Sequence, residues 1–208
     1  MIIKELALGP IMANCFIVGC NDTGEAVVID PGDEANKILL ALAESQLTVK
    51  YLLNTHGHFD HVGANGSMKE STGAELMIHP LDAPMLSHLS MAAASFGLSA
   101  QNSPDADKDL ADGDIISFGK LSLKVIHTPG HSPGGVSFYT KGHVFVGDTL
   151  FAGSIGRTDL PGGDYNTLIA SVKKKLFLLD DNTTVYCGHG PQTTIGREKK
   201  FNPFVRIS

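Results

Sequence analysis

The chain has no tryptophan, only three cysteines and few charges, with Asp, Glu, Lys and Arg making up 18% of its 208 residues. Cys15, Cys20 and Cys187 form no C-x-x-C pair, and an odd number is a poor disulfide framework. A stapled secreted scaffold is therefore disfavoured, and a reducing, cytoplasmic setting is expected. No run of about 18 apolar residues is present, so no helix spanning a bilayer is expected. The opening Met1-Ile2-Ile3-Lys4-Glu5 lacks the basic region and apolar stretch of a secretory signal. Positive charge is also short, with 16 basic against 22 acidic residues and a net charge of −6. Generic binders of nucleic acid or anionic membrane are normally basic, so neither is expected as a principal partner. With 42% hydrophobic residues, the composition excludes a disordered protein.

What the chain does have is glycine, 23 residues of it, and short apolar runs between turn signals. Strands are expected at 2–8, 14–18, 26–29, 49–53 and 75–78, with an amphipathic helix at 34–44 whose Ile38, Leu39, Leu42 and Ala43 recur at helical spacing. A helix should follow residue 61 through Lys69, residues 80–97 read as helical, and 99–109 reads as a surface loop. The second half repeats the strand habit at 115–118, 121–126, 136–140, 144–146 and 184–186, with a helix at 165–179. Two strand-rich halves that each supply helices suggest sheet packed on sheet with helices outside. No linker or composition shift divides them, so residues 1–208 read as one domain.

Nine histidines are the unusual feature, and their placement carries the chemistry. His56-Gly57-His58-Phe59-Asp60-His61 puts three imidazoles and a carboxylate into six residues at the end of an apolar strand. At a strand end, His56 and His58 can point the same way, with Asp60 and His61 reaching a neighbouring position beyond a turn. The pattern of strand, Gly-rich turn and ligand recurs at Gly130-His131-Ser132, Gly147-Asp148-Thr149 and Gly188-His189-Gly190. His56, His58 and His131 would give one metal three nitrogens and leave a position for water, as catalytic zinc requires. Asp60, His61 and His189 would hold a second metal, with Asp148 bridging. His79, His88, His127 and His143 lack this context and read as structural or surface residues. Cys187 and Cys15 read as small buried hydrophobes. Asp30, before Pro31-Gly32, fits either a hydrogen bond near the metal loop or a plain turn.

Thr55-His56-Gly57-His58-Phe59-Asp60-His61, followed in order by His131, Asp148 and His189, resembles the motif set of the metallo-β-lactamase superfamily. The resemblance spans essentially the whole chain and implies a mixed α/β (α+β) fold, a four-layer αββα sandwich with a dinuclear site at one sheet edge. Within the superfamily the chain looks most like a short bacterial type II glyoxalase, or hydroxyacylglutathione hydrolase. The segments that carry this likeness are Thr128–Gly134, Gly147–Phe151 and the closing Phe201-Asn202-Pro203-Phe204-Val205-Arg206. It implies two divalent metal ions, zinc before iron or manganese. It also implies hydrolysis of the small-molecule thioester S-D-lactoylglutathione to D-lactate and glutathione, in methylglyoxal detoxification. A metal-bridging hydroxide would attack the thioester carbonyl, with Asp60 as the catalytic carboxylate that orients it.

The chain departs from the longer glyoxalases in lacking their extra C-terminal helical domain, in Asp159 where they carry a tyrosine, and in Gly190-Pro191 where they carry an aromatic. Arg157 is the first candidate to hold substrate carboxylates, with Arg197, Lys199 and Lys200 behind it. A persulfide dioxygenase with one iron held by two His and one Asp is the main alternative, because those enzymes carry a stretch like Gly156-Arg157-Thr158-Asp159. Hydrolysis of another ester, a lactone or a phosphodiester, and a non-catalytic metal module, are the remaining readings.

Overall fold

Ala13–Gly19 is buried at every position, with Phe16 and Val18 in one apolar cluster and Cys15 and Ile17 in another. Successive side chains of a strand point to opposite faces, so this segment needs a packed layer on each side. The computed structural model describes residues 1–207 and shows both layers. The first sheet contains β1 (Ile2–Leu8), β2 (Ala13–Gly19), β3 (Glu25–Ile29), β4 (Thr48–Leu53), β5 (Glu75–Ile78) and β6 (Lys108–Asp109), side by side in that order. β1 to β3 are antiparallel, and β3 to β6 run parallel. The helices in this half are α1 (Ala35–Glu44), the one-turn α2 (Phe59–Val62), α3 (Asn65–Thr72) and α4 (Leu89–Ser95).

The second sheet is built from β7 (Ile115–Phe118), β8 (Leu121–His127), β9 (Val136–Thr140) and β10 (His143–Gly147), an antiparallel meander. A hairpin of β11 (Leu150–Phe151) and β12 (Ser154–Ile155) follows, and α5 (Tyr165–Lys174) then carries the chain across to β13 (Thr184–Cys187), parallel to β10. β14 (Thr193–Thr194) completes the edge and α6 (Ile195–Phe201) follows it.

Three clusters separate four layers. Val18, Ile29 and Leu53 meet Phe118, Val125 and Phe138 between the sheets. Ile17, Val28 and Leu52 meet Ile38, Leu42 and Met68 of the helices outside the first sheet. Val144, Val146 and Val185 meet Val172, Leu176 and Ile195 outside the second. This is the αββα sandwich. Among the described residues, no helix is long and apolar enough to cross a membrane.

The structure differs from the sequence reading in short elements. Residues 80–97 divide into a 3-10 turn, Ala83–His88, and α4, and the 165–179 helix closes at Lys174 before a 3-10 turn at Leu176–Leu178. The polar 99–109 segment ends in β6, whose two residues pair with β5 and are too few to show a period. The tail, for which no helix was expected, forms α6, capped by Thr194 and anchored by buried Ile195 and Glu198.

Candidate metal centre

Several strand ends open on the same edge of the sandwich. β3 runs into Asp30, β4 into the 54–61 loop, β8 into the loop bearing His131, β10 into Asp148 and β13 into His189. The two sheets are stitched together there: Asn14 N–H donates to the Gly188 carbonyl at 2.7 Å and Val136 N–H to the Thr55 carbonyl at 2.8 Å. The Asn14 side chain adds bonds to the Cys187 and Gly190 carbonyls at 3.0 and 2.9 Å. α2 begins immediately after His58, and its single turn carries Asp60 and His61 round to the side of His189.

The ligand-type atoms gather in two triads. His56, His58 and His131 each offer one nitrogen within 4.8 Å of the others, and Asp60, His61 and His189 form a second such group. Nε2 of His131 lies 2.9 Å from Nδ1 of His58. Nε2 of His61 lies 3.2 Å from Nε2 of His189, which is itself 3.3 Å from Oδ2 of Asp60. Asp148 stands between the triads, 3.4 Å from His61 Nε2, 3.6 Å from His131 Nε2 and 3.7 Å from His189 Nε2. All seven residues singled out as ligands are thus brought together.

Neighbouring groups fix which nitrogen of each ring faces inward. His131 Nδ1–H donates to the Arg157 carbonyl at 2.8 Å, leaving Nε2 with its lone pair toward the cluster. His61 Nδ1–H donates to Oδ2 of Asp30 at 3.1 Å with the same result. The Thr55 hydroxyl donates to Asp30 at 2.6 Å, so it can accept from His56 Nδ1 at 3.0 Å and leaves His56 Nε2 as an acceptor. Asp30 also accepts from Thr55 N–H at 2.7 Å. Although Asp30 lies within ligand distance of His56 and His61, its oxygens are taken by these donors, and its place is behind the rings.

Two buried atoms, His56 Nε2 and Asp148 Oδ1, have no hydrogen-bond partner. Leaving a buried polar group unpaired costs about 1–3 kcal/mol. A cation bound by the cluster would satisfy both, so the residues fit the divalent metals the motif implies. Charge agrees with this. Burial, followed by neighbouring histidines, holds His56 well below its ordinary value and His58 down to about 4, so both are neutral donors at neutral pH. Burial opposes protonation of His61, but Asp148, Asp60 and Asp30 outweigh it and push the ring up to about 10. His189 is raised in the same way, against its burial, by Asp60 and Asp148. Burial would raise Asp60, yet His61 and His189 hold its carboxyl well below the usual range. Two neutral imidazoles, two more whose added protons a cation would displace, and the carboxylates of Asp60 and Asp148 are a donor set for divalent cations.

The family model of the metallo-beta-lactamase superfamily matches residues 8–189. The chain belongs to this superfamily. Among curated relatives it is 39% identical to the hydroxyacylglutathione hydrolase GloC of Haemophilus influenzae, over 99% of this chain and 98% of that one. Among solved structures it superposes on the B3 metallo-beta-lactamase BLEG-1 with a TM-score of 0.92 and 39% identity, covering 98% and 99% of the two chains. A di-iron-bound form of TTHA1623 matches with a TM-score of 0.89 and 42% identity, over 97% of this chain and 99% of that one. These names differ in substrate and metal, so the superfamily fold does not by itself fix either.

The proposed substrate cations are not gathered in the same way. Arg157 contributes its carbonyl to the centre, but its exposed guanidinium pairs with Asp159 through Nε at 2.7 Å and Nη2 at 2.8 Å. Lys199 is bound to Asp181 and the Leu179 carbonyl, Lys200 lies over the Phe201 ring, and Arg197 is exposed beside Glu198. None of the three is bonded to the cluster, because α6 starts beside Thr183 and Thr184, at the opposite end of β13 from His189. The remaining histidines lie outside the centre: His79 stacks on His127 at 4.4 Å, His143 meets the Tyr186 hydroxyl and His88 the Pro84 carbonyl. Cys187 is buried, and that burial pushes its thiol up to about 12.

Two spaces adjoin the cluster. A groove of about 1010 Å³ runs between residues 9–11, 32–37 and 98–101 and reaches Asp60. An apolar recess of about 310 Å³, lined by Phe59, Met85, Leu89 and Ala92, reaches His58. Sequence reasoning missed Asp82, a fully buried carboxylate that reaches both metal loops; nothing in Pro80-Leu81-Asp82-Ala83 distinguishes it from a turn residue.

Proposed function

We propose that the protein is a metal-dependent thioester hydrolase of the glyoxalase II type. Its substrate is S-D-lactoylglutathione, cleaved to D-lactate and glutathione in the cytoplasm. The observation that carries this reading is the pair of triads sharing Asp148, with His56 Nε2 and Asp148 Oδ1 left for a cation. Similarity over nearly full length to a protein named hydroxyacylglutathione hydrolase supports the choice of substrate.

His56, His58 and His131 would hold one divalent ion, zinc first among the candidates, and Asp60, His61 and His189 the other, with Asp148 common to both. Bound there, the pair supplies Lewis acidity that polarises a carbonyl and lowers the pKa of water toward neutrality. The chain's own part is orientation. Asp30, Thr55 and the Arg157 carbonyl hold three imidazoles with their lone pairs inward. Asp60 borders both the cluster and the larger groove, where its carboxylate, kept ionised by His61 and His189, can orient water. The leaving thiolate is stable, so departure needs no strong acid. Cys187 and Cys15 are no nucleophiles, because both are buried and burial raises their thiols, and Cys20 sits away from the cluster beside Lys120. The apolar recess beside His58 suits a small acyl group, and the larger groove of mixed polarity beside Asp60 suits an extended peptidic thiol.

The test is a panel of acyl-thioesters, lactones and glutathione persulfide, offered to protein loaded separately with zinc and with iron. Release of free thiol from S-D-lactoylglutathione is the expected result. Oxygen uptake with the persulfide by a single-iron form, without thioester cleavage, would overturn the proposal in favour of a dioxygenase.

A further inference from the structure

Asp82 lies in the loop between β5 and the Ala83–His88 turn, with no exposed surface. Its carboxylate is shared by two segments distant in sequence. Oδ2 accepts from Gly57 N–H at 3.0 Å and from the Ser132 hydroxyl at 2.7 Å, and Oδ1 accepts from Gly134 N–H at 2.6 Å. Gly57 sits between His56 and His58, and Ser132 follows His131 directly. The first segment leaves β4 of one sheet, and the second joins β8 to β9 of the other. One buried carboxylate therefore ties together the two loops that supply a complete triad.

The approach is too close for side chains. A Cβ on Gly57 would fall 2.9 Å from the Asp82 carbonyl oxygen, and one on Gly134 would fall 2.7 Å from Asp82 N and Oδ1. Both glycines are thus places where the Asp82 loop needs the room. The loop is itself anchored, since Asp82 N–H donates to the His79 carbonyl at 2.9 Å. Asp30 reaches His61 of the other triad directly and His56 of this one through the Thr55 hydroxyl, and is bonded to neither Gly57 nor the 132–134 turn.

We infer that Asp82 is a positioning residue: it sets the separation of His56, His58 and His131, and with it the cation affinity of that position alone. The inference rests on the metal reading above, and the experiment separates the two. The full chain, stripped with a chelator, is titrated with zinc against a chromophoric competitor. Wild type should take up two equivalents. Asp82→Asn and Asp82→Ala should weaken one of them by about 10–100-fold, the range for losing a carboxylate behind a metal ligand. In a His189→Ala background, where the His56/His58/His131 position remains, Asp82→Asn should weaken that remaining site by the same factor. Asp107→Asn removes a carboxylate that binds Lys69 and Leu76 N–H away from the centre; it should lower the melting temperature and leave both affinities unchanged. Should Asp82→Ala fail to fold by circular dichroism, Ser132→Ala decides, because it deletes one of the three bonds and should still weaken the same position. Wild-type affinities in Asp82→Asn or in Ser132→Ala would overturn the inference and leave the metal reading standing. Failure of wild type to bind two cations would sink both.

Discussion

Asp30 accepts a hydrogen bond from His61 Nδ1 at 3.1 Å and another from the Thr55 hydroxyl at 2.6 Å, and that hydroxyl faces His56 Nδ1 at 3.0 Å. A single buried carboxylate so orients one imidazole from each triad. Asp30→Ala would strand the Thr55 N–H and hydroxyl and the His61 N–H, each at a cost of about 1–3 kcal/mol. The expected outcome is a lower unfolding midpoint in urea, together with cation affinity reduced by about 10–100-fold at both positions. An unchanged titration would show that the rings hold their orientation without Asp30.

The triads differ in what each ligand removal should do. His58 belongs to one triad, whereas Asp148 faces rings of both. His58→Ala should therefore retain one cation, and Asp148→Ala should weaken both. Loss of a direct ligand should exceed the loss seen on removing its supporting partner, so thioester cleavage should fall by more than about 100-fold in each variant. Metal analysis and thiol release on the same folded samples check this pair of outcomes.

The longer strands and the ligand order were legible in the sequence because both are local signals: apolar runs end at turns, and each ligand-bearing segment follows a strand. The two-residue strands β6, β11, β12 and β14 were too short to show a period. Phe16, Ile17 and Val18 already imply layers on both faces of β2. The supporting partners were not legible, because their meaning lies in contacts across the fold. Asp82 reaches Gly57 and Gly134 over separations of 25 and 52 residues. Arg157 was the first candidate to hold substrate carboxylates, but its pairing with Asp159 depends on rotamers that sequence does not specify. α6 was hidden by a glycine and by lysines with little apolar period, and its buried Glu198 is explained only by contacts made in the fold, with Thr193, Asn202 and the distant Gly153 N–H.

The Arg157–Asp159 pair leads to a test of substrate recognition. Both side chains are exposed, so solvent and salt screen the pair and it breaks readily. Asp159→Ala frees the guanidinium for a substrate carboxylate. The KM for S-D-lactoylglutathione should fall with kcat unchanged, a small effect because the pair it replaces is screened. Steady-state kinetics at low salt measures it; an unaltered KM would remove Arg157 from recognition.

Acidity should act unequally on the two cations. His61 is pushed up to about 10, so at neutral pH the cation-free ring carries a proton that binding must displace. Affinity at the Asp60/His61/His189 position should therefore rise with pH through the neutral range, by about tenfold per unit for one displaced proton. His56 and His58 lie below their ordinary values, with His58 at about 4, and are already neutral there, so they add no such dependence to the other triad. Competition titrations at about pH 6 and about pH 8 should move the Asp60/His61/His189 equivalent more than the other; equal movement of both would contradict the charge assignment.

The most direct measurement is anomalous diffraction at the metal absorption edge from crystals of the cation-loaded protein. Two peaks about 3.5–4 Å apart are expected, the usual spacing of paired catalytic ions. One should lie among His56, His58 and His131, the other among Asp60, His61 and His189, with Asp148 contacting both. A single peak held by two histidines and one aspartate, or density away from these side chains, would contradict the account.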